Sequence, residues 1–146
     1  MRANITMKNN LNILSYRIIE NDSKYTADLL FELIIDGDPI CSNLAEIGDN
    51  AIPYYDFENK DLPYFRYEYK GVRQYIIAVC VCGNAGCGSE TCQIIKEGDY
   101  VIFRDFSSGC NLPPDAEFKF SRENYDSIIS QIVERVNEYK QANESK

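Results

Sequence analysis

Residues 79 to 92 read VCVCGNAGCGSETC and hold four of the chain's six cysteines, Cys80, Cys82, Cys87 and Cys92, among the glycines Gly83, Gly86 and Gly88. Four thiolates can close a tetrahedral structural zinc site, and glycines let a backbone wrap a cation. The spacing here is C-x-C-x4-C-x4-C. Zinc ribbons use C-x2-C, where a turn aims both sulfurs at the metal. In an extended C-x-C the sulfurs share a face but start about 6–7 Å apart, since each strand residue advances about 3.3 Å. A redox pair would want C-x-x-C at a helix N-terminus, which lowers a thiol pKa. A phosphate cradle would want a lysine after the glycines, where Glu90 stands instead. Buried cysteine behaves as a small hydrophobe, and glycine supplies the positive φ of a compact strand connection. The expectation is a structural turn made by Cys80, Cys82, Gly83, Gly86, Cys87 and Gly88, with no metal and no cofactor. A zinc-stabilised regulatory or adaptor domain is the alternative.

Other chemistry is sparse. The chain has no histidine, which removes the His-dependent triads, the His metal sites and the commonest general base. Asp36 with Asp38, and Asp115 with Glu117, are carboxylate pairs, but Asp36-Gly37-Asp38 lacks the further oxygen ligands of an EF-hand loop. Both read as turns. Arg104 and Asp105 are neighbours that a strand would point to opposite faces, so an ion pair holding that strand to a helix is expected. With no acid, base and nucleophile that converge, a non-enzymatic protein is expected. An enzyme using cysteine or carboxylates is a second alternative.

The segment above background is residues 52 to 69, IPYYDFENKDLPYFRYEY. It mixes aromatics with Asp56, Glu58, Asp61 and Glu68, and prolines set its first part apart from a core. Tyr and Phe are favoured at the energetic centres of interfaces, and acidic neighbours steer a basic partner. The expected partner-binding residues are Tyr54, Tyr55, Asp56, Phe57, Glu58 and Asp61. Alternation through Phe65, Tyr67 and Tyr69 also fits ordinary sheet packing.

Net charge agrees with a basic partner. The formal charge is −8. Phosphate repels such a surface, so neither nucleic acid nor an anionic membrane is expected as a partner. The N-terminus lacks the apolar region of a signal peptide, and no apolar run approaches the length of a membrane span. The cysteines fit a reducing compartment, where thiols stay free. A cytoplasmic acidic protein that blocks a basic partner, of the bacterial immunity or antitoxin type and with a toxin domain as one such partner, is the expectation.

The elements that must position these residues follow from periodicity. A chain of 146 residues suits a single domain, 1–146, with short disordered termini. Asn12 to Glu20 and Tyr25 to Ile35 read as strands, the second with Leu29, Phe31, Leu33 and Ile35 on one face and Asp28 and Glu32 on the other. Asp36-Gly37 is a turn. Ser42 to Ile47 reads as one helical turn, and most of 48 to 63 as surface loop. Val72 to Cys82, Thr91 to Lys96 and Tyr100 to Phe106 read as consecutive strands of a meander. From an N-cap at Ser121, Tyr125, Ile128, Ile129, Ile132, Val133, Val136 and Tyr139 recur at helical spacing. The expected fold is α+β: one antiparallel sheet of about five strands, covered on one face by a C-terminal amphipathic helix.

Three short motifs carry a resemblance. Cys80, Cys82, Gly83, Gly86, Cys87 and Gly88 make C-x-C-G-x-x-G-C-G, Phe103 to Phe106 make F-R-D-F, and Phe118, Phe120, Ser121, Arg122 and Tyr125 make F-x-F-S-R-x-x-Y. Over roughly residues 28 to 130 the chain resembles a family of small uncharacterised bacterial proteins with this order of motifs. Cys92 is not part of that pattern, so the resemblance implies three matching thiols, one short of a closed zinc site. It implies a shared fold and brings no activity.

Overall fold

The computed structural model describes residues 11–23, 27–40, 51–57, 65–69, 71–79, 89–107, 110 and 112–144. The strands are β1 (Leu14–Glu20), β2 (Leu29–Ile35), β3 (Asp38–Pro39), β4 (Ile52–Pro53), β5 (Phe65–Tyr69), β6 (Val72–Val79), β7 (Ser89–Glu97), β8 (Tyr100–Arg104) and β9 (Glu117–Ser121). A 3-10 turn spans Tyr54–Phe57, and one long helix, α1, spans Arg122–Glu144. The class is α+β with antiparallel pairing, as expected.

The expected single sheet is replaced by two. β1 pairs β2 along its whole length, from Leu14 opposite Ile35 to Glu20 opposite Leu29. The other edge of β2 carries β3 at one end and β4 at the other. The second sheet is the meander β5-β6-β7-β8-β9. Only β6, β7 and β8 of the five expected strands lie in it. The other two pair with each other, and the free edge of β2 takes β3 and β4, which are too short to leave a periodic signal. Ile52 pairs with Phe31 and is fully buried, as is Ala51. Ala51 to Pro53 and Phe57 are therefore interior, not surface loop. The expected helical turn at 42 to 47 lies outside the described residues.

The sheets meet at two seams. At one, Ala51 bridges Val79, whose N–H donates to the Ala51 carbonyl at 3.1 Å. At the other, the Asn12 N–H donates to the Lys119 carbonyl at 2.7 Å, and the Lys119 N–H donates to Asn12 Oδ1 at 2.8 Å. One core lies between the sheets and α1, with Phe31, Leu33, Ile77, Val101, Phe103, Phe120, Tyr125 and Ile132 among its members.

α1 begins as its sequence dictates. Ser121 Oγ accepts the Asn124 N–H at 3.0 Å, an N-cap bond to the third helical residue. Its apolar stripe turns inward: Tyr125, Ile128, Ile129, Ile132 and Val136 are buried. The neighbouring face grips the free edge of β1. Asn124 Oδ1 accepts the Leu14 N–H at 2.8 Å and Asn124 Nδ2 donates to the Leu14 carbonyl at 3.0 Å, so one side-chain amide stands in for a neighbouring strand. Further along, the Tyr16 hydroxyl donates to Gln131 Oε1 at 3.1 Å, and Arg135 pairs with Glu20.

The aromatic residues of the two C-terminal motifs form one cluster. Phe103 lies 5.0 Å from Phe120 and 6.1 Å from Tyr125, both edge-on, and Phe106 lies 5.6 Å from Phe118. These motifs join β8, β9 and the first turn of α1, so they serve packing. The ion pair expected from Arg104 and Asp105 does not form to the helix. Arg104 Nε donates to Gln93 on β7 at 3.0 Å, and Asp105 is exposed with a φ of 55°, which ends β8 in a left-handed turn. Glu32, expected on a polar face, is 3% exposed and paired with Arg17 at 2.7 Å. Both faces of β2 are buried, and Arg17 stands directly opposite Glu32 on β1.

Candidate functional site

Two neighbourhoods hold the side chains with chemical potential. The first is built by β4 and the 3-10 turn. Pairing with β2 brings Ile52 and Pro53 against Phe31 and Leu30, and the chain then coils at once into Tyr54–Phe57. Two aromatics, at the first and last positions of this short coil, differ in burial. Phe57 turns inward, 1% exposed, with its ring edge-on to Phe31 at 5.5 Å. It belongs to the core, which corrects its expected place among the partner-binding residues. A Phe that can reach an apolar core gains about 1.5–3 kcal/mol by leaving water.

Tyr54 stays at the rim. It is half-buried, and its ring lies 4.7 Å from that of Tyr139 on α1 at an interplanar angle of 53°. The Tyr139 hydroxyl donates to Asp28 Oδ2 at 3.2 Å. Burial raises the Tyr139 pKa, and the bond to Asp28, its charge and Tyr54 raise it further. Tyr139 is thus a neutral phenol in a negative local field, and Asp28 is exposed beside it. Of the other expected residues, Tyr55 and Asp56 lie on the same 3-10 turn, and Glu58 and Asp61 lie outside the described residues. Tyr139 and Asp28 were not expected here. The only trace of Tyr139 is that the helical stripe ends on a residue with a polar tip. Asp28 leaves none, because its partner is more than a hundred residues away.

The second neighbourhood is the thiol region. Cys80, Cys82, Gly83, Gly86, Cys87 and Gly88, the expected structural turn, lie outside the described residues. β6 and β7 pair up to Val79 opposite Ser89, with a register shift between Ile76 and Ala78, so residues 80–88 link the two strands in the sequence. Cys92, the fourth thiol of the candidate zinc set, is on β7 opposite Tyr75 and fully buried in the core, as is Cys110. Burial pushes the Cys92 thiol well up, and Cys110 and Asp105 add to it. Its fully buried position among apolar neighbours is that of a small packed hydrophobe. The loop after β8 is held onto β7 by Ser107. Its N–H donates to the Thr91 carbonyl at 2.9 Å, and its Oγ accepts the Thr91 N–H at 3.0 Å and donates to Glu90 Oε1 at 2.6 Å.

The raised Cys92 pKa has a pH consequence. The folded state keeps this proton where the unfolded chain, with a thiol pKa near about 8.5, releases it. The unfolded state therefore binds fewer protons above that pH, and stability falls as pH rises. One such thiol contributes at most about 1.4 kcal/mol per pH unit. Urea unfolding from pH 7 to 10 is expected to show a steeper loss for wild type than for Cys92→Ala, which has no proton to lose. Equal slopes would show that Cys92 titrates as freely in the fold as outside it.

No family model matches this chain, and none of the curated proteins or solved structures matches it significantly. No helix among the described residues is long and apolar enough to cross a membrane.

Proposed function

We propose that this chain is a non-enzymatic acidic binding protein that occupies a basic protein partner in the cytoplasm, in the manner of bacterial immunity and antitoxin proteins. The observation that carries the proposal is the rim patch: two half-exposed tyrosines in contact, with an exposed carboxylate bonded to one of them, on a chain of net charge −8. Tyrosine offers much contact area for few rotatable bonds, and the negative field speeds the approach of a basic surface. The comparison with immunity proteins is one of charge, size and style of action.

The test begins by capturing partners from the native host with tagged chain and identifying the basic one. Its association rate, measured by surface kinetics, is expected to fall about tenfold between 50 and 300 mM salt, because screening removes steering at range. Tyr54→Ser is expected to raise the dissociation rate with little change in the salt slope. An association rate that ignores salt would overturn the proposal.

A further inference from the structure

We infer that the Tyr54–Tyr139 pair receives a single arginine side chain of the partner, with Asp28 as the counter-ion. This rests on the basic partner proposed above and names the group that it presents.

Ring planes inclined at 53° cannot cover each other's faces as a parallel stack would, and both tyrosines keep solvent-accessible area. A phenol face attracts a cation within about 6 Å of the ring centroid. Such contacts occur among the described residues: Lys119 Nζ lies 4.2 Å from the Tyr100 centroid, and Lys96 Nζ lies 5.6 Å from that of Tyr125. At the Tyr54–Tyr139 rim a carboxylate stands beside the rings. Asp28 supplies a full negative charge at 3.2 Å from the Tyr139 hydroxyl, and its bond orients that ring. After burial, the Asp28 bond and charge help to raise the Tyr139 pKa, and that same charge favours a cation. Arginine fits better than lysine. Its planar guanidinium stacks on an aromatic face while its edge N–H groups reach a carboxylate, and it sheds water more readily than an ammonium.

The probe is a Gly-Gly-Arg-Gly-Gly peptide titrated into full-length protein labelled with carbon-13 in its tyrosine rings. The ring signals of Tyr54 and Tyr139 are expected to shift saturably. The same peptide with neutral citrulline in place of arginine is expected to leave them unmoved. Asp28→Asn should weaken the arginine peptide about two- to fivefold, and Tyr54→Leu by a similar factor. Asp115→Asn, an exposed carboxylate elsewhere, should leave its affinity unchanged. Each variant must keep the wild-type spectrum away from the patch, so that a folding defect is recognised as such. Equal shifts with arginine and citrulline, or equal affinities for Asp28→Asn and Asp115→Asn, would overturn the inference. A captured basic partner that binds Asp28→Asn and Tyr54→Leu as it binds wild type would also overturn it, while leaving the proposed function standing.

Discussion

Phe57→Ala is expected to lower the unfolding free energy by about 3–5 kcal/mol. The ring is 1% exposed and meets Phe31 edge-on at 5.5 Å, at the point where the 3-10 turn closes over β2. Truncation removes the transfer free energy of the ring and leaves a cavity that neighbours on three elements would have to fill. β4 holds one side of that site through the pairs Leu30–Pro53 and Phe31–Ile52, so collapse is restricted. Phe57→Leu, which keeps most of the volume, should recover more than half of the loss. Urea unfolding monitored by far-UV circular dichroism measures both. A loss below about 1 kcal/mol for Phe57→Ala would place the ring outside the core and return it to the surface.

The second large effect is expected at Ile132. It is fully buried midway along α1, and Ile132→Ala should cost about 2–5 kcal/mol. Glu134, two residues on, is exposed. A rotation of two residues along a helix carries a side chain to the opposite flank, so Glu134→Ala should change stability by less than about 0.5 kcal/mol. Equal costs for the two would mean that α1 presents a different face to the sheets. The comparison matters for the patch as well, because the same rotation that buries Ile132 sets Tyr139 at the rim beside Tyr54.

The two experiments bear differently on function. Phe57 and Tyr54 are three residues apart in one aromatic run, yet one anchors the core and the other meets solvent. Variants at Phe57 should affect partner binding only through loss of fold. Variants at Tyr54 should affect binding with the fold intact. A kinetic comparison of the two in the same background separates these routes.

The amino-acid sequence by itself determined the elements whose signal is local. The stripe from Tyr125 to Tyr139 with Ser121 before it specifies α1, since a 3.6-residue period and an N-cap need no distant partner. The two-residue period of Leu29 to Ile35 specifies β2, and Asp36-Gly37, with φ values of 53° and 90°, specifies the turn after it. The residue types of the aromatic segment were legible too, as was the acidic balance. Only the tertiary structure decided how the strands divide between two sheets, because β3 and β4 have two residues each and pair through backbone bonds that any side chain permits. It alone decided that Glu32 is buried, since a two-residue period cannot say whether packing from elsewhere closes the second face of β2, while the pairing with β1 sets Arg17 opposite the carboxylate. It alone sorted Phe57 from Tyr54: residues i and i+3 of a 3-10 turn lie above one another, so their different depths come from the packing around the turn and not from their spacing. And it alone joined Tyr54 to Tyr139 and Asp28. Those three residues come from a turn, a helix and the bend just before a strand, and nothing in their local sequence depends on the contact that the fold makes between them.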